Sequence, residues 1–203
     1  MSKSVLLRSV LFVAAGALLP TFAYAHSGSG DAGGFMHGLA HPFSGLDHVC
    51  AMLAVGLWAA QMGGRSVWAV PLTFVGVMAL GGALPMLGVS LPFVETGIVL
   101  SVLLLGVLIA ASVRLPLWLS SSVVALFALW HGHAHGTEMP ALSSGLLYGS
   151  GFVLATALLH IAGIGFGLGM RQPVLSRVEG ARERLVPLAG AGIALCGAYL
   201  ALV

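Results

Sequence analysis

Two short stretches, residues 37–48 and 130–138, hold six of the eight histidines of the chain. Each stretch also contains a carboxylate within a few residues of its histidines. Imidazole and carboxylate together suit Ni, Co, Zn or Cu(II), whereas a closed structural zinc site favours thiolates, which neither stretch contains. The chemistry that these residues predict is therefore the binding of a divalent transition-metal ion.

The first stretch reads His-Gly-Leu-Ala-His-Pro-Phe-Ser-Gly-Leu-Asp-His and runs from His37 to His48. His41 and His48 are seven residues apart, so they share one helix face if the helix has already formed at His41. Pro42 favours a helix start there, because proline suits the first helical position. Asp47 either ligates the metal itself or accepts a hydrogen bond from a ligand histidine.

The second stretch reads Trp-His-Gly-His-Ala-His-Gly-Thr-Glu and runs from Trp130 to Glu138. His131, His135 and Glu138 stand at positions i, i+4 and i+7, which lie on a single face of a helix. His133 points the other way on an unbroken helix, and its role stays open. We expect the first three side chains to complete the metal site.

The composition indicates a membrane protein. Of the 203 residues, 59% are hydrophobic and 7% are charged, against about 45–50% and about 25% in soluble domains. The mean hydropathy of +1.05 is the opposite of a disordered composition. Without Lys3 and Arg8, which lie in a predicted leader, the chain keeps six basic and six acidic residues. No basic surface remains to bind nucleic acid.

Residues 1–25 have the three parts of a secretory signal peptide. A basic start precedes the apolar run 10–19, and Ala23-Tyr24-Ala25 is a small-x-small cleavage site. An uncleaved first transmembrane helix is the alternative, although the apolar run is shorter than the roughly 20 residues of a span. Cleavage leaves residues 26–203 as the mature chain, with His26 at its N-terminus outside the cytoplasm.

The mature chain predicts an all-α, polytopic membrane bundle of six transmembrane helices. We place them near residues 44–62, 67–85, 93–112, 116–134, 141–169 and 185–203. Glycines at four-residue spacing, such as Gly163 and Gly167, predict close packing between helices. Cys50 and Cys196 are far apart in sequence and are expected to be free, apolar-packed thiols rather than a disulfide.

The basic residues give an independent prediction of orientation. Signal cleavage places the mature N-terminus outside, so the loops alternate from inside to outside and the C-terminus is also outside. Every basic residue of the mature chain then falls in a loop assigned to the inside, as the positive-inside rule requires. These residues are Arg65, Arg114, Arg171, Arg177, Arg182 and Arg184.

Further ionisable residues lie in or near the apolar segments, where such groups are functional candidates by default. Glu95 follows Pro92, a helix-starting residue at the same outer end as both clusters, and we count it among the ligands. His37 and His26 precede the first span and are expected to capture metal rather than conduct it. His160, in the inner half of the fifth span, is too far away to share the site and is either an exit ligand or a packing residue.

At these residues the chain resembles the HupE/UreJ family of nickel/cobalt permeases. Its members have a cleaved leader, six spans, an H-x5-D-H motif in the first span and an F-H-G-x-A-H-G-x-E motif in the fourth. The first motif is complete here, and in the second Trp130 replaces the usual phenylalanine. The resemblance covers the whole chain.

The resemblance implies a secondary transporter, not an enzyme, in the bacterial inner membrane. It implies import of Ni2+, or of Co2+, as substrate rather than as a tightly bound cofactor, to supply metalloenzymes such as hydrogenase or urease. Their maturation proteins are the partners that the resemblance implies, and no P-loop or ATPase subunit is evident. An intramembrane hydrolase would lack a recognisable catalytic motif here. A haem-binding or redox subunit with paired histidines stays the alternative.

Overall fold

The computed structural model describes residues 31–141, 143–170 and 181–203. The predicted leader, His26, Arg171 and Arg177 lie outside these residues. The described residues form seven α-helices and no strand, which confirms the all-α class for this part of the chain. The helices are α1 Asp31–Ala40, α2 Leu46–Met62, α3 Ser66–Ala83, α4 Val94–Ala110, α5 Leu117–Thr137, α6 Gly145–Gly169 and α7 Ala181–Leu200.

Helices α2 to α7 lie where the six apolar segments predict them, with ends that differ by at most four residues. Two helical stretches, Ser66–Leu87 and α6, are long and apolar enough to cross a membrane, and α1 with α2 makes a third if that bent pair is one span. The apolar parts of α4 and α7, Val94–Ala110 and Arg184–Leu200, are shorter than these candidate spans. The chain is therefore a helical membrane protein, and the number of six spans stays a prediction.

Glycine and proline set the ends of the helices. Gly63 and Gly64, between α2 and α3, have φ angles of 78° and 56°, a left-handed conformation that glycine adopts without steric cost. Pro85 opens a single 3₁₀ turn after α3, and Pro116 directly precedes α5. These are the breaks that the sequence predicts, because neither residue type continues a helix readily.

Helix α2 is the centre of the bundle. It contacts α3, α4, α6 and α7, and 11 of its 17 residues are buried. The other main contacts join α3 to α5, α4 to α7 and α1 to α6. Cys50 on α2 and Cys196 on α7 are free thiols, as predicted, although their Sγ atoms lie 3.5 Å apart. Residues that project from α2 are thus surrounded by the rest of the bundle.

Glycines let these helices approach to backbone contact. A Cβ atom at Gly132 on α5 would collide with the carbonyl oxygen of Met78 on α3. Gly163 and Gly167 on α6 pack against α2, which confirms that pair as a packing face. Gly149, on the same helix, has no atom within 4 Å of the Cβ position. Only some of the regularly spaced glycines are therefore required for packing.

We expect Gly132→Ala to destabilise the protein by about 1–3 kcal/mol, because the added methyl group would push the backbones of α3 and α5 apart. Gly149→Ala is the matched control and should be neutral or slightly stabilising, since alanine has the higher helix propensity and meets no atom there. Thermal unfolding of the purified variants in detergent measures both effects. Equal melting temperatures for the two variants would contradict the close contact between α3 and α5.

Candidate metal centre

A cavity of about 180 Å³ lies at the end of the bundle where α2 and α4 begin and α5 ends. Three carboxylates contribute to its wall, and negative charge beside a low-dielectric bundle attracts cations. The wall contains six of the residues proposed from sequence, which are His41, Asp47, His48, Glu95, His135 and Glu138. The fold therefore brings both clusters and Glu95 to one place.

His41, His135 and Glu138 form a compact group of potential ligands. One ligand atom of each residue lies within 4.8 Å of those of the other two. His41 Nε2 and Glu138 Oε2 are 2.7 Å apart, which is a short, charge-assisted hydrogen bond from imidazole to carboxylate. His135 is 2% exposed, and neither ring nitrogen has a hydrogen-bond partner among the described residues. A cation bound by all three would replace the proton that His41 donates to Glu138.

His41 reaches this group because the chain bends before α2. His41 lies in a 3₁₀ turn, and Gly45 is extended between this turn and α2. The helical segment that ends in the turn meets α2 at 80°. A helix face shared by His41 and His48 requires a helix already formed at His41, and this condition is not met, because the helix begins at Leu46. The two imidazoles instead approach His135 separately, with ring centroids 4.8 and 4.2 Å from it.

Asp47 orients the ring of His48. Asp47 Oδ1 accepts hydrogen bonds from Nδ1 of His48 at 2.9 Å and from its backbone N–H at 2.8 Å. Because a carboxylate only accepts, Nδ1 carries the proton, and Nε2 of the neutral ring has a lone pair for a metal ion. That Nε2 atom is buried, without a hydrogen-bond partner in the described part of the chain. This is the geometry of a carboxylate that holds a ligand histidine in one tautomer.

His131 lies one helical turn deeper than His135 and is fully buried. Its ring centroid is 4.8 Å from that of His48. The Ser101 hydroxyl donates to the carbonyl of Ile98 at 2.6 Å and lies 2.8 Å from Nε2 of His131. Since the one hydroxyl proton is used, the Ser101 oxygen accepts from Nε2–H, and His131 Nδ1 keeps its lone pair. The free nitrogens of His48 and His131 thus continue the set of potential ligands inward.

Two residues of the second cluster fix the segment before α4. The backbone N–H of Leu91 donates to His133 Nε2 at 3.1 Å. Trp130 Nε1 donates to the carbonyl of Pro92 at 3.2 Å, a hydrogen bond that phenylalanine cannot make. Both contacts position the start of the helix that carries Glu95, whose exposed side chain lines the cavity. His133 therefore supports the site without lining it.

Several sequence-predicted residues lie outside the cavity wall. His131 is one of them, although it contacts a histidine of the wall. His37 is exposed on α1. His160 and His131 both contact the ring of Phe74, and His26 is outside the described residues. The structure thus gathers the two motifs and Glu95, and leaves His37 apart from them.

Ser101 is the candidate that the sequence did not reveal. It is a fully buried serine on α4 that also bonds to its own helix backbone, as serines commonly do in apolar helices. A polar residue in an apolar segment is the only sequence signal at this position. Ser101 is a candidate because it contacts His131 on the neighbouring helix α5. A local sequence pattern does not specify which helix will be the neighbour.

Comparison with known proteins agrees with the motif resemblance. The family profile described as "HupE / UreJ protein" matches residues 13–200 of the chain. Protein HupE of Rhizobium leguminosarum bv. viciae is 48% identical over 178 residues, which cover 86% of this chain and 91% of that protein. No solved structure matches the chain significantly. These matches are consistent with a nickel/cobalt transporter, and the chain belongs to the HupE/UreJ family.

Proposed function

We propose that the protein is a secondary transporter that imports Ni2+, with Co2+ as a competing substrate, across the bacterial inner membrane. Residues 1–25 act as a cleaved signal peptide, and residues 26–203 form the six-span transporter. The imported ion supplies metalloenzymes such as hydrogenase or urease through their maturation proteins. We expect no enzymatic activity and no nucleic-acid partner.

The convergence of His41, His135 and Glu138 carries this proposal, since their ligand atoms lie within 4.8 Å of one another at the end of an apolar bundle. These ligands replace water around the cation, and the ion then moves to His48 and His131. Imidazole with carboxylate binds Ni2+ and Co2+, and family membership favours these metals over Zn2+ or Cu2+. Weak ligation at several positions allows release as well as entry.

The alternative of a haem-binding subunit has less support. The cavity at the ligand cluster, of about 180 Å³, is smaller than the roughly 300–1,000 Å³ of pockets that hold cofactor-sized ligands. A second cavity of about 500 Å³ borders His135, but its lining contains no other histidine to pair with it. The imidazoles of the cluster also lie close to one another, which suits a single ion between them better than a macrocycle. An absorption spectrum of the purified protein distinguishes the two, because haem would give a Soret band.

We expect expression of this chain to increase uptake of labelled nickel in a bacterial strain that lacks its own nickel importers. Unlabelled Co2+ should compete with the label, and Zn2+ should compete more weakly. The empty vector is the control, and membrane levels of the protein are measured in parallel. Uptake equal to the empty vector, with the protein present in the membrane, would reject the proposed function.

The positions of the arginines support the orientation in this proposal. Arg65 and Arg114 follow the ends of α2 and α4 that lie away from the cavity. Helix α7 runs antiparallel to α4, with Gly190 against Ala110, so Arg184 lies toward that same end. By the positive-inside rule this end faces the cytoplasm, and the cavity opens to the periplasm.

We therefore expect both termini of the mature protein to face the periplasm. Alkaline phosphatase fused after Val203 should be active, and green fluorescent protein at the same position should be dark. Fusions after Arg114 should give the opposite pattern and serve as the internal control. A fluorescent C-terminal fusion would contradict the six-span topology while leaving the metal cluster untouched.

A further inference from the structure

His160 is a buried imidazole that the proposed outer site does not use. It lies on α6, is 2% exposed, and does not line the cavity. Neither of its ring nitrogens has a hydrogen-bond partner among the described residues. Leaving a buried polar group unpaired costs about 1–3 kcal/mol. An unpaired imidazole in the apolar interior of the bundle therefore requires an explanation.

The position of His160 continues the line of histidines inward. The ring of Phe74 contacts both His160 and His131, with centroid distances of 5.3 Å and 5.7 Å. The carbonyl of His160 contacts α2 at Gly56, ten residues after the start of that helix. At 1.5 Å per residue this is about 15 Å below the cavity, near the middle of a ~30 Å hydrocarbon layer.

Two further donor atoms lie one helical turn away. Thr156 precedes His160 by one turn on α6, and Met78 follows Phe74 by one turn on α3. The Thr156 hydroxyl donates to Met78 Sδ at 3.7 Å, and both side chains are fully buried. Because α6 runs away from the cavity end and α3 runs toward it, this pair lies one turn nearer the cavity than His160 and Phe74. The Met78 carbonyl packs against Gly132, next to His131, so the hydroxyl and the thioether lie near the level of His131, one turn outward of the His160 imidazole.

We propose that His160 is a second, inner binding position for the transported cation, with Thr156 and Met78 as weak additional ligands. This inference rests on the proposed function and adds a step to it. An ion that has lost its water at the outer cluster needs ligands at mid-membrane depth, where no bulk water replaces them. A neutral imidazole with weak co-ligands binds the ion without holding it, as conduction through several sites requires. Phe74 contacts the imidazoles of both His131 and His160.

A thiol placed at residue 160 tests whether the ion reaches this depth. In a Cys50→Ser, Cys196→Ser background, His160→Cys protein is purified in full length and titrated with Co2+. We expect a sulfur-to-cobalt charge-transfer band in the near ultraviolet, in addition to weaker visible bands from the outer site. Ala155→Cys, a fully buried position on the same helix, is the matched control and should lack the charge-transfer band. Visible bands without a charge-transfer band in His160→Cys would overturn the inner site.

His160→Leu gives a second measurement that does not depend on the thiol variant. We expect nickel uptake to fall by about tenfold or more, while purified protein keeps wild-type affinity at the outer cluster and normal thermal stability. If His160 only packs against Phe74, leucine should preserve uptake, and uptake equal to wild type would overturn the proposal. Failure of the wild-type protein to bind or transport Ni2+ would instead reject the proposed function itself.

Discussion

Replacing His135 with alanine should reduce nickel uptake by more than about 100-fold, because it removes a central ligand rather than a supporting group. His135 belongs to the tight group with His41 and Glu138, and its ring is also 4.2 Å from that of His48. Its loss therefore interrupts both the outer site and the route inward. The measurement is the initial rate of labelled nickel uptake over a range of concentrations, corrected for the amount of protein in the membrane.

His37→Ala is the control for this substitution. His37 is exposed on α1 and lies outside the cavity wall, so its replacement should raise the nickel concentration needed for half-maximal uptake and leave the maximal rate unchanged. His48→Ala should behave like His135→Ala. Normal uptake by the His135 and His48 variants, together with loss of uptake in the His37 variant, would mean that the assigned pathway is wrong.

Helical periodicity predicted correctly those parts of the site that lie on one regular helix. His131 and His135 do share a face of α5, because both rings contact His48. His133 points to another partner, the backbone of Leu91. In a continuous helix the residue number alone determines the direction of a side chain. The apolar segments and the Gly and Pro breaks between them placed the six long helices to within four residues.

The sequence did not predict features that depend on a break or on a neighbouring helix. The turn at His41 and the extended Gly45 separate His41 from the face of α2. Helix α1, which precedes them, lacks a long apolar segment like those that predicted α2 to α7. The partnership of Ser101 with His131 joins two helices. The close contact at Gly132 and the open space at Gly149 also depend on which neighbour each glycine faces. Local sequence patterns specify a helix and the side chains on each of its faces, whereas tertiary packing determines which neighbouring helix each face contacts.

Asp47→Asn should lower metal affinity and uptake by about 10–100-fold, the range found when a group that orients a metal ligand is lost. Asparagine can still accept a hydrogen bond from His48 Nδ1, but without the negative charge that makes the imidazole a stronger ligand. Asp47→Ala removes both the charge and the hydrogen bond and should be more damaging. Equilibrium titration of the purified variants with Co2+ gives the affinities.

A double-mutant cycle separates orientation of His48 from direct ligation by Asp47. If the carboxylate acts through His48 Nδ1, Asp47→Asn should cost little further affinity once His48 has been replaced with alanine. If Asp47 binds the ion itself, the two losses of binding free energy should add. The short contacts from Asp47 Oδ1 to the backbone nitrogen and to Nδ1 of His48 favour the non-additive result, because they commit this oxygen to orienting the imidazole.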